Sequence, residues 1–217
     1  MLKFYDIEQN TDEWLEARCG LLTSSNMSSV MAKPKSFTDK KPTWAFSEGA
    51  KKLAVKIALE QLTGNVTTDG FSNESTDRGH VFEPIAIDVY ESRNFVEVQH
   101  GGFFCDDRLG ASPDRRVYGN TIEVKTRLPL IHFNNIKRGG LEPISKWQCI
   151  SNVHLTGSEW LDYCSYNPAF PDGKDLFVFR VWHEEYKEDI ATMMNRIDEF
   201  LEYVEKIKKT ITGGNNG

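Results

Sequence analysis

Long apolar runs are absent from the 217 residues. No window approaches the roughly 18 uninterrupted apolar residues of a membrane-crossing helix, and the opening MLKFYDIEQNTDEW lacks the basic-then-apolar order of a secretory signal. The expectation is a soluble, cytoplasmic protein with no membrane partner. Cysteine is scarce: Cys19, Cys105, Cys149 and Cys164 stand far apart, with no CxxC pair and no histidine at ligand spacing, which argues against structural zinc and iron–sulfur clusters. The five histidines, at 80, 100, 132, 154 and 183, are dispersed and give a His-rich metal site no support. Positive charge is the minority sign. Lys and Arg total 26 against 32 Asp and Glu, and a net charge of −6 excludes a protein that coats nucleic acid by bulk charge; any phosphate contact must be local. Repeats and low-complexity tracts are missing too, apart from the tail Gly213-Gly214-Asn215-Asn216-Gly217, which is expected to be disordered.

What is present is ordinary for a globular chain. Hydrophobic residues at 39%, charged at 27% and aromatics at 12% exclude wholesale disorder, collagen and coiled-coil rods. One domain over residues 1–212 is expected from the length.

Asn10 with Glu13 makes a capping box for a first helix through Arg18, with Gly20 placed for a left-handed stop. A short helix should follow Ser24 or Ser25, and Ala45 to Leu62 reads as a helix ended by Gly64. Between them lies a cationic loop with Lys33, Lys35, Lys40 and Lys41. Val81, Phe82, Ile85, Val89 and Tyr90 recur at helical spacing from Asp77 to Arg93, with Pro84 kinking the helix or lying in its first turn. The period then shortens. Phe95 to Gln99, Gly102 to Cys105, Arg115 to Tyr118 and Thr121 to Lys125 are strand candidates, followed by a helix from Ile144 to Leu155, strands Trp160 to Tyr166 and Leu176 to Trp182, and a last helix from Glu184 to Lys209.

Gly119-Asn120 reads as a two-residue hairpin loop that pairs Tyr118 with Thr121, Arg116 with Glu123 and Asp114 with Lys125. Side chains alternate along strands, so Asp114, Arg116, Glu123 and Lys125 share one face while Val117, Ile122 and Val124 point to the other. Two readings of the ionic face stay open. One is a solvated hairpin with Asp–Lys and Arg–Glu cross-strand pairs. The other is a site in which Asp114 and Glu123 converge on a hard divalent cation, since carboxylates suit Mg²⁺ with its ~2.1 Å oxygen ligands, and Lys125 stands beside the water that attacks a phosphodiester.

Ser112-Pro113-Asp114 followed by Glu123-Val124-Lys125 resembles the PD-(D/E)xK nuclease superfamily. Further segments in order are similar to its phage lambda exonuclease branch: Trp14-Leu15-x-x-Arg18-x-Gly20, Leu22-Thr23-Ser24-Ser25, Val30-Met31-Ala32-Lys33-Pro34, Gly79-x-x-x-Glu83-x-x-Ala86-x-x-x-Tyr90-Glu91, Gln148 in a helix, and Tyr166-Asn167-Pro168. The resemblance implies an α/β, restriction-endonuclease-like core with a mixed central β-sheet flanked by helices. It implies Glu83, Asp114 and Glu123 as metal ligands with the backbone carbonyl of Val124, Lys125 as a catalytic amine and Gln148 as a supporting residue. Taken bottom-up, Glu83 must leave its helix toward the ionic hairpin face, the other reading being a solvated or helix-start glutamate, and Gln148 could simply bond neighbouring backbone.

Arg18, Ser25 and Ser112 match a pocket for a 5′-terminal phosphate; alternatively Ser25 is an N-cap and Arg18 a helix-end cation. The implied activity is Mg²⁺- or Mn²⁺-dependent 5′→3′ digestion of one strand from duplex DNA ends. It would leave 3′ overhangs for recombination in a phage or its bacterial host, with a single-strand annealing protein as partner and a homotrimeric ring as assembly. The lysine loop would line the duplex path or be merely solvated. Arg127 and Arg138 are candidates for groove contact, and no apolar wedge is evident near Thr76 and Asp77. A restriction-type endonuclease and a non-catalytic DNA-end binding module are the alternatives.

Overall fold

A computed structural model describes residues 1–34, 46–67 and 74–213, apart from the side chains of 74–77 and 80. The expectations for Lys35, Lys40, Lys41, the tail from Gly214, and the side chains of Thr76 and Asp77 lie outside the described residues. The elements are β1 (Lys3–Tyr5), α1 (Asp12–Ala17), β2 (Leu22–Thr23), a 3₁₀ turn (Ser24–Asn26), α2 (Met27–Met31), α3 (Glu48–Thr63) and α4 (Glu74–Asn94). Then follow β3 (Gln99–His100), β4 (Phe103–Cys105), β5 (Leu109–Ala111), β6 (Arg115–Val117), β7 (Asn120–Thr126), α5 (Pro129–Arg138), α6 (Lys146–Leu155), β8 (Trp160–Tyr166), β9 (Leu176–Trp182) and, after a 3₁₀ turn, α7 (Lys187–Ile211).

The mixed α/β class holds, but the strands form two sheets instead of one: β1-β4-β5-β2 and β3-β6-β7-β8-β9. In the larger sheet β7 runs antiparallel to β6 and parallel to β8, and β9 returns antiparallel. Alternation along β7 divides its work. Ile122 and Val124 face α4, where they pack with Ala86, Ile87 and Tyr90. On the opposite side α6 places Cys149 and Val153 against Leu161, Tyr163 and Val181. A third cluster joins α2, α3 and α7 through Met27, Ile57, Phe200 and Ile197, and Ile150 of α6 reaches into it. So α6 lies between the sheet and the helical layer.

Several local expectations are corrected. The first cap is Thr11, whose hydroxyl accepts from the Trp14 N–H at 3.2 Å, and not Asn10, which takes a left-handed φ of 65°. The β6–β7 loop is Tyr118-Gly119, with φ of 50° and 78°, so Val117 pairs with Asn120 and Arg115 with Ile122. A two-residue loop with both φ positive matches strand twist; it forms one residue earlier than Gly-Asn would give, and Asn120 is instead held in β7, its Oδ1 accepting from the Glu159 and Trp160 N–H groups at 3.0 Å each. The register therefore slips by two, and because two is the side-chain period the two faces survive. Of the two placements left open for Pro84, the structure takes the interior of α4 and not its first turn. Gly101 lies so close to the segment leading into β6 that a Cβ on it would fall 1.7 Å from the Pro113 carbonyl oxygen.

Candidate active site

β7 carries Glu123 and Lys125 on its α6 side, and the segment before β6 brings Asp114 alongside through a bond in which the Val124 N–H donates to Asp114 Oδ2 at 2.7 Å. Val124 itself is buried. Glu123 is completely buried, and both of its oxygens are held: Oε1 accepts from Gln148 Nε2 at 2.5 Å and pairs with Lys125 Nζ at 2.6 Å, while Oε2 accepts from Asn152 Nδ2 at 2.8 Å. Gln148 and Asn152 stand four apart on α6 and so share one helix face. Glu83 arrives from α4 and meets Arg115 Nη1 at 3.2 Å.

The electrostatics follow from this crowding. Burial raises Glu83 to about 7, with the Asp114 charge adding and Arg115 opposing. Burial likewise raises Glu123 to about 7, again with Asp114 adding and Lys125 opposing. Asp114 is raised by burial against the pull of Lys125 and the Val124 N–H. For Lys125 burial works against the charge, but Glu123 and Asp114 outweigh it and leave the ammonium firmly protonated. Three carboxylates thus face two cations, Lys125 and Arg115, in little solvent, and the surplus negative charge is met by protons near neutrality.

Hard oxygen donors with surplus charge fit a divalent cation in kind. Yet among the described residues no three His, Cys, Asp or Glu side chains stand in an arrangement that holds a metal ion as it is. Glu83, Asp114, Glu123, Lys125 and Gln148 are brought together. Arg116, expected on the ionic face, is committed elsewhere: its Nε donates to the His100 carbonyl at 2.9 Å and its guanidinium lies 4.4 Å from the Phe4 ring centroid.

Beside this cluster Arg18, Ser25 and Ser112 also converge. Arg18 Nη2 donates to Thr23 Oγ1 and Ser25 Oγ, each at 3.2 Å, and Nη1 to Ser112 Oγ at 3.4 Å. Trp14 completes the ring, its Nε1 donating to Ser112 Oγ at 2.9 Å and its indole lying 3.8 Å from the Arg18 guanidinium carbon. Burial lowers Arg18 to about 10, against the raising charge of Glu60, and among the described residues no carboxylate pairs with it directly. A desolvated guanidinium ringed by hydroxyls is short of an anion. Ser112 and Asp114 are two residues apart, at most about 7 Å of chain, so the two sites adjoin.

A family of YqaJ-like viral recombinase domains matches residues 13–159, well over half of the chain. The chain belongs to that family. This YqaJ-like domain thereby falls in the lambda exonuclease-like branch that its motifs resemble. Among solved structures, an alkaline exonuclease from Laribacter hongkongensis superposes with a TM-score of 0.77 at 26% identity, covering 93% of this chain and 96% of that one. The same enzyme in complex with dAMP gives 0.75 at 27% identity over the same shares. A phage-related exonuclease from Haemophilus somnus shares the fold alone, with a TM-score of 0.61 at 14% identity, covering 89% of this chain and 95% of that one. No curated protein matches the sequence.

Sequence reasoning missed Asn152, Arg115, Trp14, Thr23 and Gln9 as parts of these sites. Asn152 was recoverable from its spacing to Gln148. Gln9, whose Nε2 donates to the carbonyls of Ser112 at 3.3 Å and Pro113 at 3.0 Å, carries no signal, because the contact spans more than a hundred residues. Arg127, a candidate for groove contact, instead forms a mostly buried pair with Glu142 at 2.5 Å and donates to Ser145 Oγ at 3.1 Å. Arg138 donates to Asn135 Oδ1 at 2.8 Å.

Proposed function

We propose that this domain is a metal-dependent 5′→3′ exonuclease that digests one strand from duplex DNA ends, prefers a 5′-phosphate and leaves 3′ overhangs for recombination. The observation that carries the reading is the adjacency of a buried carboxylate–lysine cluster to a desolvated arginine ringed by hydroxyls. Arg18, with Ser25 and Ser112, would grip the terminal phosphate, and the next phosphodiester of the same strand would lie at Asp114 and Glu123. Asp114, Glu123, Glu83 and the Val124 carbonyl would hold Mg²⁺ or Mn²⁺. When bound, the ion would neutralise charge on the scissile phosphate and lower the pKa of the attacking water.

The protein's own share is positioning and charge. Gln148 and Asn152 fix both oxygens of Glu123, and the Val124 N–H fixes Asp114. Lys125, held protonated here by Glu123 and Asp114, would stabilise developing negative charge or help orient and deprotonate the attacking water once a cation draws those two carboxylates away. A ring of three copies around duplex DNA, an annealing partner and a cytoplasmic site of action in a phage-infected cell belong to the same proposal. No helix among the described residues is long and apolar enough to cross a membrane.

The test is an end-labelled duplex carrying a 5′-phosphate or a 5′-hydroxyl, digested with Mg²⁺ or with chelator, beside covalently closed circular DNA. Phosphate-favoured, chelator-sensitive loss of linear DNA with the circle intact is expected, and Arg18→Ala should erase the phosphate preference. Cleavage of the circle would favour the endonuclease alternative. Undiminished digestion in chelator would end the metal reading.

A further inference from the structure

α6 is shared between the two halves of the site. From one turn Gln148 and Asn152 hold Glu123, as described. From the same turn Ser151, fully buried, hydrogen-bonds Ser24 across 2.9 Å between hydroxyl oxygens, and Ser24 reaches the Gly110 carbonyl at 3.4 Å. Ser24 is also buried and opens the 3₁₀ turn that presents Ser25; it directly follows Thr23. The two residues whose hydroxyls accept from Arg18 Nη2 are therefore tied, through one buried hydroxyl pair, to the helix that sets the geometry of Glu123.

The bonds from Arg18 to these hydroxyls are long, at 3.2 to 3.4 Å, and all of them use the hydroxyl oxygens as acceptors. Each hydroxyl has one hydrogen and two lone pairs, so it can go on accepting from Arg18 while its hydrogen turns to donate to a bound phosphate, which gives up the Thr23–Ser25 hydroxyl bond of 3.1 Å. A phosphate held by Arg18 and these hydroxyls would pull on the Thr23–Asn26 segment that carries them. Apolar neighbours would let such a shift dissipate, but a hydrogen-bonded pair in a low-dielectric interior is directional and costly to break.

We propose that Ser151 is a positioning residue that couples 5′-phosphate occupancy to the placement of Glu123, so that the phosphate accelerates the chemical step as well as tightening binding. The proposal rests on the reading that Arg18, Ser25 and Ser112 take a 5′-phosphate. It assigns Ser24 and Ser151 a role as a pair, distinct from the direct grip.

Single-turnover rates and apparent affinities on 5′-phosphate and 5′-hydroxyl duplexes test it in the wild type, Ser151→Ala and the double variant Ser24→Ala/Ser151→Ala. The double variant leaves neither hydroxyl without its partner and so guards against misfolding of the single one. Expected is a phosphate gain in the rate constant that falls by about tenfold in both variants, while the phosphate gain in affinity stays within about twofold. Ser151→Cys, of similar volume, should recover part of it. A wild type without phosphate preference would remove the pocket reading itself. A wild type with the preference, and variants that keep its full effect on the rate constant, would remove the coupling alone; loss in affinity only would do the same.

Discussion

Asp114 is the residue on which charge and fold pull in opposite directions. It is one of three acids opposing two cations, and burial raises it, so in the absence of a cation its charge is a liability to the folded state. Asp114→Asn keeps an acceptor for the Val124 N–H and balances the cluster. Cleavage should fall on the order of 10²–10³-fold, the scale of losing one preorganised electrostatic contact. Thermal melting in chelator should be no lower than wild type. A variant that cleaves normally would detach Asp114 from the chemistry, and one that melts far lower would make its role structural.

At the scale of elements, the β6–β7 turn and the Arg127 loop each make a prediction. Tyr118 is exposed and holds a φ of 50°, a region that costs a side chain with a Cβ about 1 kcal/mol and that asparagine tolerates better. Tyr118→Asn should therefore raise the unfolding free energy by about 0.5–1 kcal/mol, read by urea titration, without affecting nuclease rates. Arg127 ties the start of α5 to the segment before α6, and Glu142 also accepts from Tyr163 Oη at 2.8 Å and Ser145 Oγ at 2.9 Å. Arg127→Met would leave that carboxylate without its cation. A loss of about 2–3 kcal/mol is expected, at the low side for a buried pair because Arg127 keeps 20% of its side chain exposed, and Glu142→Gln in the same chain should restore part of it.

These elements also mark what was legible in the sequence. β8 and β9 were read to the residue, since seven-residue runs rich in aromatic and β-branched side chains carry their own signal. β2, of two residues, and β5, of three, have no period to read and exist only because partners pair with them. α5 was missed although Pro129 at its start and Gly139, at φ 61°, mark both ends. The ionic face was legible despite the wrong loop, because an error of two residues preserves parity. What could not be read was Arg115 as the partner of Glu83, which depends on how α4 packs across the sheet.

For the whole molecule, the raised acids predict an unusual pH profile. Glu83 and Glu123 move from 4.5 to about 7 on folding, so the folded chain binds more protons than the unfolded one between those limits. Their contribution to stability is complete below pH 4.5 and is lost as pH rises through 7. Denaturant titrations in chelator should show falling stability from pH 5 to pH 8, and Glu83→Gln should flatten the slope. A divalent cation should restore stability most at pH 8, where it no longer competes with protons.

Gly101 sets the tolerance of this neighbourhood to inheritance and to engineering. With a Cβ 1.7 Å from the Pro113 oxygen, even alanine must push back the stretch that delivers both the Ser112 hydroxyl and the Asp114 carboxylate. In a saturation library sorted for activity, position 101 should return glycine alone, while neighbours such as His100 vary. A position that makes no chemical contribution of its own would then be as intolerant as the acids themselves, and a conservation-blind redesign of the domain would fail there first.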